Sequence, residues 1–230
     1  MRAPQRQGPE VARFKDLALD TTDQAVSVDF WAAVLGLDAD PRDPGEPQPL
    51  RGAEPGQTVW VNVVPEPPLT KARVHLDVHA ASVEEVLSLG AEVVQRHEHW
   101  TWLRAPDGLD LCVFVRDTVP AHRLYEVVVD CRDPGAQARW WADRLGLVAE
   151  PDPSNPWWGM SGEQLPFDCF VFVPVPEPRT VKNRVHWDVW GTVEEFTDAG
   201  ATVVAPRDAD RDWDVLADPE GNEFCVFAQD

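Results

Sequence analysis

The sequence lacks the long apolar run that a membrane-spanning helix needs. Nothing in it approaches about eighteen uncharged apolar residues in a row. The opening stretch, MRAPQRQGPEVARFKD, also has no apolar centre of the kind found in secretion signals. We therefore expect a cytoplasmic protein that does not insert into a membrane.

Basic side chains are scarce. Twenty Lys and Arg stand against forty Asp and Glu, which gives a formal net charge of −20. A surface this acidic repels other polyanions, so we expect neither nucleic acid nor an anionic membrane as a partner.

Several chemical signatures are missing as well. The four cysteines, Cys112, Cys131, Cys169 and Cys225, lie far apart without a C-x-x-C pair, so neither a disulfide framework nor a zinc knuckle is indicated. There is no glycine-rich nucleotide loop and no G-x-S-x-G elbow. Tryptophan, in contrast, occurs eleven times. Such rings fill cores, and they can also line a pocket for a flat organic ligand.

The chain repeats itself with a period of about 110 residues. TKARVHLDV, residues 70–78, corresponds to VKNRVHWDV, residues 181–189. In the same order, DLALDTTDQAVSVDFWAAVLGL corresponds to EVVVDCRDPGAQARWWADRLGL, and APDGLDLCVF to ADPEGNEFCVF. We expect two copies of one domain, at 13–117 and 123–230, with a linker at 118–122 and an extended or disordered N-terminus at 1–12.

Each copy predicts the same order of elements: a strand, a helix, about three strands, a short helix and two final strands. Asp23 and Asp133 are candidate N-caps of the long helices, and Gly36 and Gly146 are candidate stops. SVEE and TVEE are typical of a capping box before a short helix. The pattern is that of an α+β protein.

Side chains alternate between the two faces of a strand, so the polar residues of these strands share a face while the apolar ones face the helices. Two interpretations of the polar face stay open. It is either the solvated side of an antiparallel sheet or the lining of a ligand-binding hollow. The candidate ligand-binding residues on it are Asp16, His75, Asp77, Cys112, Glu126, His186, Asp188, Trp190 and Cys225.

This order of elements, with the LGL helix ends, the H-x-D-V strands and the final DPEGNEF, resembles the glyoxalase/bleomycin-resistance group, the vicinal-oxygen-chelate proteins. The likeness is greatest to glyoxalase-like domains of actinobacterial type. It implies two tandem domains, each of paired βαβββ units whose mixed or antiparallel sheet forms a cup, with helices outside and a ligand inside. The domains would form a pseudo-dimer within one chain, and a further homodimer stays open.

Metal-using members of this family place ligands on the first strand, on the H-x-D strand and on the last strand. The resemblance carries these points onto Asp16 or Glu126, His75 or His186, and Cys112 or Cys225. The usual last carboxylate is thus a cysteine in both copies, and cysteine favours softer ions such as zinc. We therefore expect no obligatory metal. The alternative is zinc, iron or manganese held by Glu126, His186 and either Cys225 or Glu223.

The leading hypothesis is a protein that binds a small organic molecule in one or both cups. His75 and His186, with Asp16 and Glu126, would orient its polar end, and tryptophans would cover its apolar body. One alternative is a metal-dependent lyase, isomerase or extradiol-type dioxygenase. Another is a scaffold with filled cups, because a fold alone does not name a chemistry. His97 and His99, in RHEHW, are interpreted as surface histidines.

Overall fold

A computed structural model describes residues 11–67, 71–177 and 179–229. The predicted extended N-terminus therefore lies outside the described residues except for its last two positions. Of these, Ala12 is buried, and its N–H donates a hydrogen bond to Glu195 Oε1 at 3.0 Å.

The two repeats fold into the same order of elements. The first contains β1 (Arg13–Thr21), α1 (Gln24–Leu35), β2 (Asp38–Ala39), β3 (Gln48–Arg51), β4 (Val59–Val63), β5 (Val74–Ala80), α2 (Val83–Ser88), β6 (Glu92–Arg96), β7 (Thr101–Arg104) and β8 (Asp110–Val115). The second contains β9 (Leu124–Cys131), α3 (Pro134–Leu145), β10 (Val148–Pro151), β11 (Trp158–Ser161), β12 (Cys169–Pro174), β13 (Val185–Trp190), α4 (Val193–Thr197), β14 (Thr202–Ala205), β15 (Trp213–Ala217) and β16 (Glu223–Phe227). Within the described ranges, no helix has the length and apolar character to cross a membrane.

The strands form two eight-stranded mixed sheets. Sheet 1 has the order β14-β15-β16-β13-β1-β4-β3-β2, and sheet 2 has the order β10-β11-β12-β9-β5-β8-β7-β6. Each sheet joins two βαβββ units, one from each repeat. The predicted α+β fold with paired βαβββ units is confirmed.

The pairing at the centre of each sheet crosses between the repeats. β1 pairs antiparallel with β13, so that Asp16 lies opposite Asp188. β9 pairs antiparallel with β5, so that Glu126 lies opposite Asp77. The predicted metal set of Glu126 with His186 and Cys225 is therefore wrong, because Glu126 lies in sheet 2 and the other two lie in sheet 1. Two copies of one sequence carry the same strands, so the sequence did not distinguish pairing within a repeat from pairing between repeats.

The long helices begin and end where the sequence predicts. Asp23 and Asp133 accept hydrogen bonds from the backbone N–H of the third residue after each, at 3.2 and 2.9 Å. Gly36 and Gly146 close the helices with φ of 68° and 63°. This left-handed conformation is the one that glycine adopts without steric cost.

The apolar faces of the strands pack against the helices. Trp141 of α3 lies with its ring 5.0 Å from that of Trp187 and 4.8 Å from that of Phe224. Trp187 and Phe224 alternate along their strands with His186 and Cys225. The histidine and cysteine side chains therefore lie on the opposite face, away from the helices.

Candidate functional site

The polar faces of both sheets are enclosed. Asp77 and Asp188 are each only 5% exposed and His186 is 7% exposed, although these side chains face away from the helices. The His75 side chain is 13% exposed. A flat solvated sheet would leave such side chains in water, so each polar face is covered by neighbouring parts of the chain. We call these covered faces cup 1, on sheet 1, and cup 2, on sheet 2.

Three different donor atoms meet on the floor of cup 2. His75 Nε2 lies 3.4 Å from Asp77 Oδ1 and 3.6 Å from Cys112 Sγ. The strands β5 and β8 hold them, since Asp77 and Cys112 are register partners. All three ligand atoms lie within 4.8 Å of one another. Two buried atoms of this group, His75 Nδ1 and Asp77 Oδ1, make no hydrogen bond in the described part of the chain.

The neighbouring strands extend this floor. Glu126 lies opposite Asp77 on β9, and Cys169 follows on β12. The Cys169 thiol donates a hydrogen bond to Glu126 Oε1 at 3.3 Å. Burial, and next the charge of Asp77, raises the pKa of Glu126 to about 7. Burial also raises the pKa of the Cys112 and Cys169 thiols far above the usual range, with a nearby carboxylate adding to the effect. Cup 2 thus disfavours negative charge until a cation or a hydrogen-bond donor enters.

One end of cup 2 is closed by ion pairs. Lys71 Nζ lies 2.8 Å from Asp130 Oδ2, and Arg104 Nε lies 2.8 Å from Asp110 Oδ1. Trp102 Nε1 donates a hydrogen bond to the same Asp110 oxygen at 2.8 Å. These carboxylates are compensated, in contrast to those at the centre of the floor.

Aromatic side chains line the opposite end of cup 2. His97 stacks on Trp100 with 4.6 Å between ring centroids. The Phe114 ring stacks next to Trp100, with 6.1 Å between their centroids. Tyr125 then lies 5.1 Å from Phe114 and 4.5 Å from His79. An open cavity of about 510 Å³ lies beside this aromatic row, lined in part by His97, Trp100 and Phe114.

Cup 1 repeats the donor set but not its electrostatics. His186, Asp188 and Cys225 also have ligand atoms within 4.8 Å of one another. Burial raises the pKa of Asp188 to about 7, while the nearby Lys15 acts in the opposite direction. Burial lowers the pKa of His186. Lys15 Nζ lies 2.5 Å from Asp16 Oδ2, which also accepts a hydrogen bond from Trp60 Nε1 at 3.1 Å.

The candidate residues therefore separate into two groups. Cup 1 gathers Asp16, His186, Asp188 and Cys225, with Trp190 at its aromatic end, and cup 2 gathers His75, Asp77, Cys112 and Glu126. Glu223, the predicted alternative ligand in a slipped register, instead forms an ion pair with Arg179 and accepts a hydrogen bond from the Asn183 N–H at 3.3 Å.

Sequence reasoning missed three residues of these cups. Cys169 enters cup 2 because β12 pairs parallel with β9, and its alternation with Val171 along the strand CFVFV was the available signal. Lys15 and Tyr125 occupy equivalent positions in the two repeats. The sequence gives no sign that either one reaches into a cup.

A comparison with known families and structures agrees with this architecture. The family model described as Glyoxalase-like domain matches residues 16–114 and again residues 126–227. No curated protein matches the chain. Among solved structures, glyoxalase I from Zea mays is similar, with a TM-score of 0.64 and 12% identity over 94% of this chain and 92% of that one. A candidate dioxygenase from Bacillus subtilis subsp. subtilis str. 168 has a TM-score of 0.64 and 12% identity over 96% of this chain and 86% of that one.

At such low identity, the structural neighbours establish the fold alone. The family model matches most of the chain, in two successive copies that coincide with the internal repeats. This chain belongs to the Glyoxalase-like domain family and carries the domain twice.

Proposed function

We propose that the protein binds a small organic molecule in cup 2, without an obligatory metal. The observation that carries this proposal is the pair of buried atoms on the cup floor, His75 Nδ1 and Asp77 Oδ1, that make no hydrogen bond in the described residues. A buried polar atom without a partner costs roughly 1–3 kcal/mol. A ligand that bonded to these atoms would recover that free energy.

The floor suits the polar end of such a ligand. His75, Asp77 and Glu126 offer an imidazole and two carboxylates from adjacent strands. The raised pKa of Glu126, about 7, lets this carboxyl either donate or accept a hydrogen bond near neutral pH. Polar groups that converge in a largely apolar hollow are typical of small-molecule sites.

The aromatic row suits the apolar body of the ligand. Trp100, Phe114 and Tyr125 extend from the floor toward the open cavity of about 510 Å³. Flat rings favour offset or edge contacts with other aromatic groups. The preferred ligand is therefore small, polar at one end and flat or aromatic at the other.

Cup 2 is a better candidate than cup 1. In cup 1 the Lys15 ammonium group already neutralises Asp16, and its side chain is 13% exposed. In the described ranges, neither Asp77 nor Glu126 forms an ion pair with a lysine or arginine. Cup 1 also contains unpaired buried atoms, His186 Nδ1 and Asp188 Oδ1. Its floor nevertheless has an ion pair with a lysine, and the carboxylates on the floor of cup 2 have none within the described residues.

A thermal-shift screen of small organic compounds tests this proposal. Compounds that bind cup 2 should raise the melting temperature of the natural protein and of Asp188→Asn, the matched change in cup 1. The same compounds should have no effect on Asp77→Asn. Hits that stabilise all three proteins equally, or a broad screen without a hit, would refute binding in cup 2.

The second candidate function is that of a zinc-dependent enzyme, favoured by the spacing of the donors. A tetrahedral zinc ion bonded to nitrogen at about 2.05 Å and to sulfur at about 2.3 Å holds these atoms about 3.5 Å apart. His75 Nε2 and Cys112 Sγ lie 3.6 Å apart, and Asp77 Oδ1 lies 3.4 Å from the same nitrogen. An imidazole, a carboxylate and a thiol fit zinc, and this set fits iron or manganese less well.

In that case His75, Asp77 and Cys112 would hold the ion, which would act as a Lewis acid toward substrate oxygens. Glu126 would contact the substrate from the adjacent strand, and Tyr125 and Phe114 would exclude water. Elemental analysis of the purified protein separates the two candidates. About one zinc per chain that is lost in His75→Ala and kept in His186→Ala would favour the enzyme; less than a tenth of that amount would favour binding without metal.

We also propose a cytoplasmic location, which the cysteines support. All four, Cys112, Cys131, Cys169 and Cys225, are free thiols. Free thiols persist in a reducing compartment. Light scattering of the purified chain measures whether it forms a further homodimer.

A further inference from the structure

Cup 1 contains an ammonium group supplied by the chain itself. Lys15 Nζ lies 2.5 Å from Asp16 Oδ2 and 4.3 Å from the centroid of the Phe227 ring. The Trp190 ring centroid is 5.3 Å from the same nitrogen. A carboxylate and two ring faces around one cation form a cation–π site of the kind that recognises organic ammonium groups.

Cup 2 has the same surroundings without the ammonium group. In the repeat, Glu126 corresponds to Asp16, Phe114 to Phe227 and His79 to Trp190. Tyr125 stands where the first repeat has Lys15, and its ring contacts Phe114 and His79 as Lys15 contacts their counterparts. The second cup therefore retains the counterparts of these side chains, with the Tyr125 ring in place of the Lys15 ammonium group. The cation at this row is Arg116, which lies over its outer end and not at the carboxylates.

The carboxylates of cup 2 are left uncompensated. Asp77 is more than nine-tenths buried, and its Oδ1 makes no hydrogen bond within the described residues, although His75 Nε2 lies 3.4 Å away. Glu126 is its register partner on the adjacent strand. Two neighbouring carboxylates in a buried site destabilise each other unless one of them binds a proton, as the raised pKa of Glu126 allows, or a positive charge lies between them.

We infer that cup 2 binds the ammonium head of a small organic amine beside Asp77 and Glu126, where it supplies the positive charge that Lys15 supplies to Asp16 in cup 1. This inference rests on the proposed function and specifies its ligand class. Asp77 and Glu126 accept hydrogen bonds from the ammonium group, and the ring of Tyr125, which packs against Phe114 and His79, borders the site. The apolar part of the amine extends along the aromatic row toward the open cavity.

Arg116 helps to distinguish a negatively charged ligand from a positively charged one. Its guanidinium lies 5.4 Å from the Phe114 ring centroid and 5.2 Å from that of Tyr125, at the outer end of the aromatic row. An anionic ligand would pair with Arg116, while an ammonium ligand must lie deeper, at Asp77 and Glu126. The corresponding residue in the other repeat is Gln229, so Arg116→Gln is a change that the fold already tolerates.

Three probes of the same shape and different charge decide between these cases: benzylammonium, benzyl alcohol and benzoate. Calorimetric titration of the full chain should give an affinity for benzylammonium at least about tenfold above that for benzyl alcohol, which is about 1.4 kcal/mol. Asp77→Asn should remove this preference, and Asp188→Asn in cup 1 should keep it. Arg116→Gln should leave benzylammonium binding equal or tighter.

Exchanging the residues between the cups gives a second readout. Tyr125→Lys places an internal ammonium group in cup 2 and should abolish benzylammonium binding. Lys15→Ala vacates cup 1 and should raise the number of bound probes per chain from one to two. Thermal melting of each variant shows whether it is folded, and Tyr125→Phe controls for the loss of the hydroxyl group.

The inference fails if benzyl alcohol binds as tightly as benzylammonium, if benzoate binds more tightly, or if Asp77→Asn keeps the preference for the cation. It also fails if the protein carries stoichiometric zinc at His75, since that ion would compensate the carboxylates. In the first two cases the proposed binding of a small molecule in cup 2 survives. If Asp77→Asn keeps the preference, binding in cup 2 fails together with the inference. If none of the probes binds while the thermal-shift screen yields hits that depend on Asp77, only the ammonium inference fails.

Discussion

Asp188 shows how the fold changes the chemistry of a single side chain. Burial raises its pKa from 3.8 to about 7, with Lys15 opposing the shift. The folded protein therefore binds this proton more tightly than the unfolded chain, and stability falls as pH rises from about 4 to about 7. Above about pH 7 the stability that the bound proton provides is fully lost, and stability no longer depends on this group.

Asp188→Asn removes this titration. Its free energy of unfolding relative to the natural protein should rise by about 2–4 kcal/mol between pH 4.5 and pH 8, because three pKa units correspond to about 4 kcal/mol. Urea unfolding at both pH values measures the difference, with the exposed Asp29→Asn as a control. A difference that does not change with pH would show that Asp188 titrates normally.

The cysteines provide another prediction for single residues. Burial raises the pKa of Cys131 to about 12 and those of Cys112, Cys169 and Cys225 above the usual range. Since the thiolate is the nucleophile, all four should react with iodoacetamide at pH 8 at least about 100-fold more slowly than in the unfolded chain. Mass spectrometry of labelled peptides follows each residue. Fast labelling of Cys112 would contradict a protonated thiol on the floor of cup 2.

At the scale of elements, the two long helices end in the same way but against different neighbours. Gly36 and Gly146 both have φ near +65°, yet a Cβ on Gly36 would lie 2.2 Å from the Ala121 backbone oxygen. A Cβ on Gly146 would meet only the Val11 side chain, at 3.3 Å. Both substitutions with alanine incur about 1 kcal/mol of left-handed strain.

Gly36→Ala should therefore destabilise the protein by at least about 2 kcal/mol more than Gly146→Ala, since the linker backbone must move. Thermal or urea unfolding of the two variants measures this directly. Equal destabilisation would mean that the linker beside α1 adapts freely.

The elements were predictable because their signals are local. The N-caps Asp23 and Asp133, the stops Gly36 and Gly146, and the alternation around His75 and His186 each depend on residues close in sequence. The pairing of β1 with β13 depends instead on which copy of the same strand is closer in space. That choice is made by long-range packing, and no local pattern encodes it.

The cups were predictable only in part for the same reason. The polar rows of His75 with Asp77 and of His186 with Asp188 follow from alternation along one strand. The contribution of Glu126 to cup 2 follows from pairing between repeats and could not be deduced from its position. The difference between the cups depends on Lys15 and Tyr125, whose side chains act across strands.

For the whole molecule, the exchange of units between the sheets predicts that one repeat is not a complete domain. Residues 1–122 produced alone would leave β1 and β5 without their central partners, β13 and β9. Exposed strand edges of this kind drive association. We expect each fragment to self-associate or aggregate and a mixture of 1–122 with 123–230 to form a one-to-one complex.

Size-exclusion chromatography with light scattering tests this expectation. Thermal melting then compares the stability of the complex with that of the intact chain. Folded, monomeric and stable single repeats would contradict the exchanged pairing. Co-expression of both fragments serves as the control for solubility.

The central claim is that cup 2 is an unfilled binding site while cup 1 is filled by Lys15. A crystal structure of the protein grown with saturating benzylammonium tests both halves of this claim at once. We predict electron density for the probe with its nitrogen within about 3 Å of Asp77 and Glu126, and Lys15 in contact with Asp16 in cup 1. A cup 2 closed by its own side chains, or density for the probe in cup 1 alone, would contradict the account.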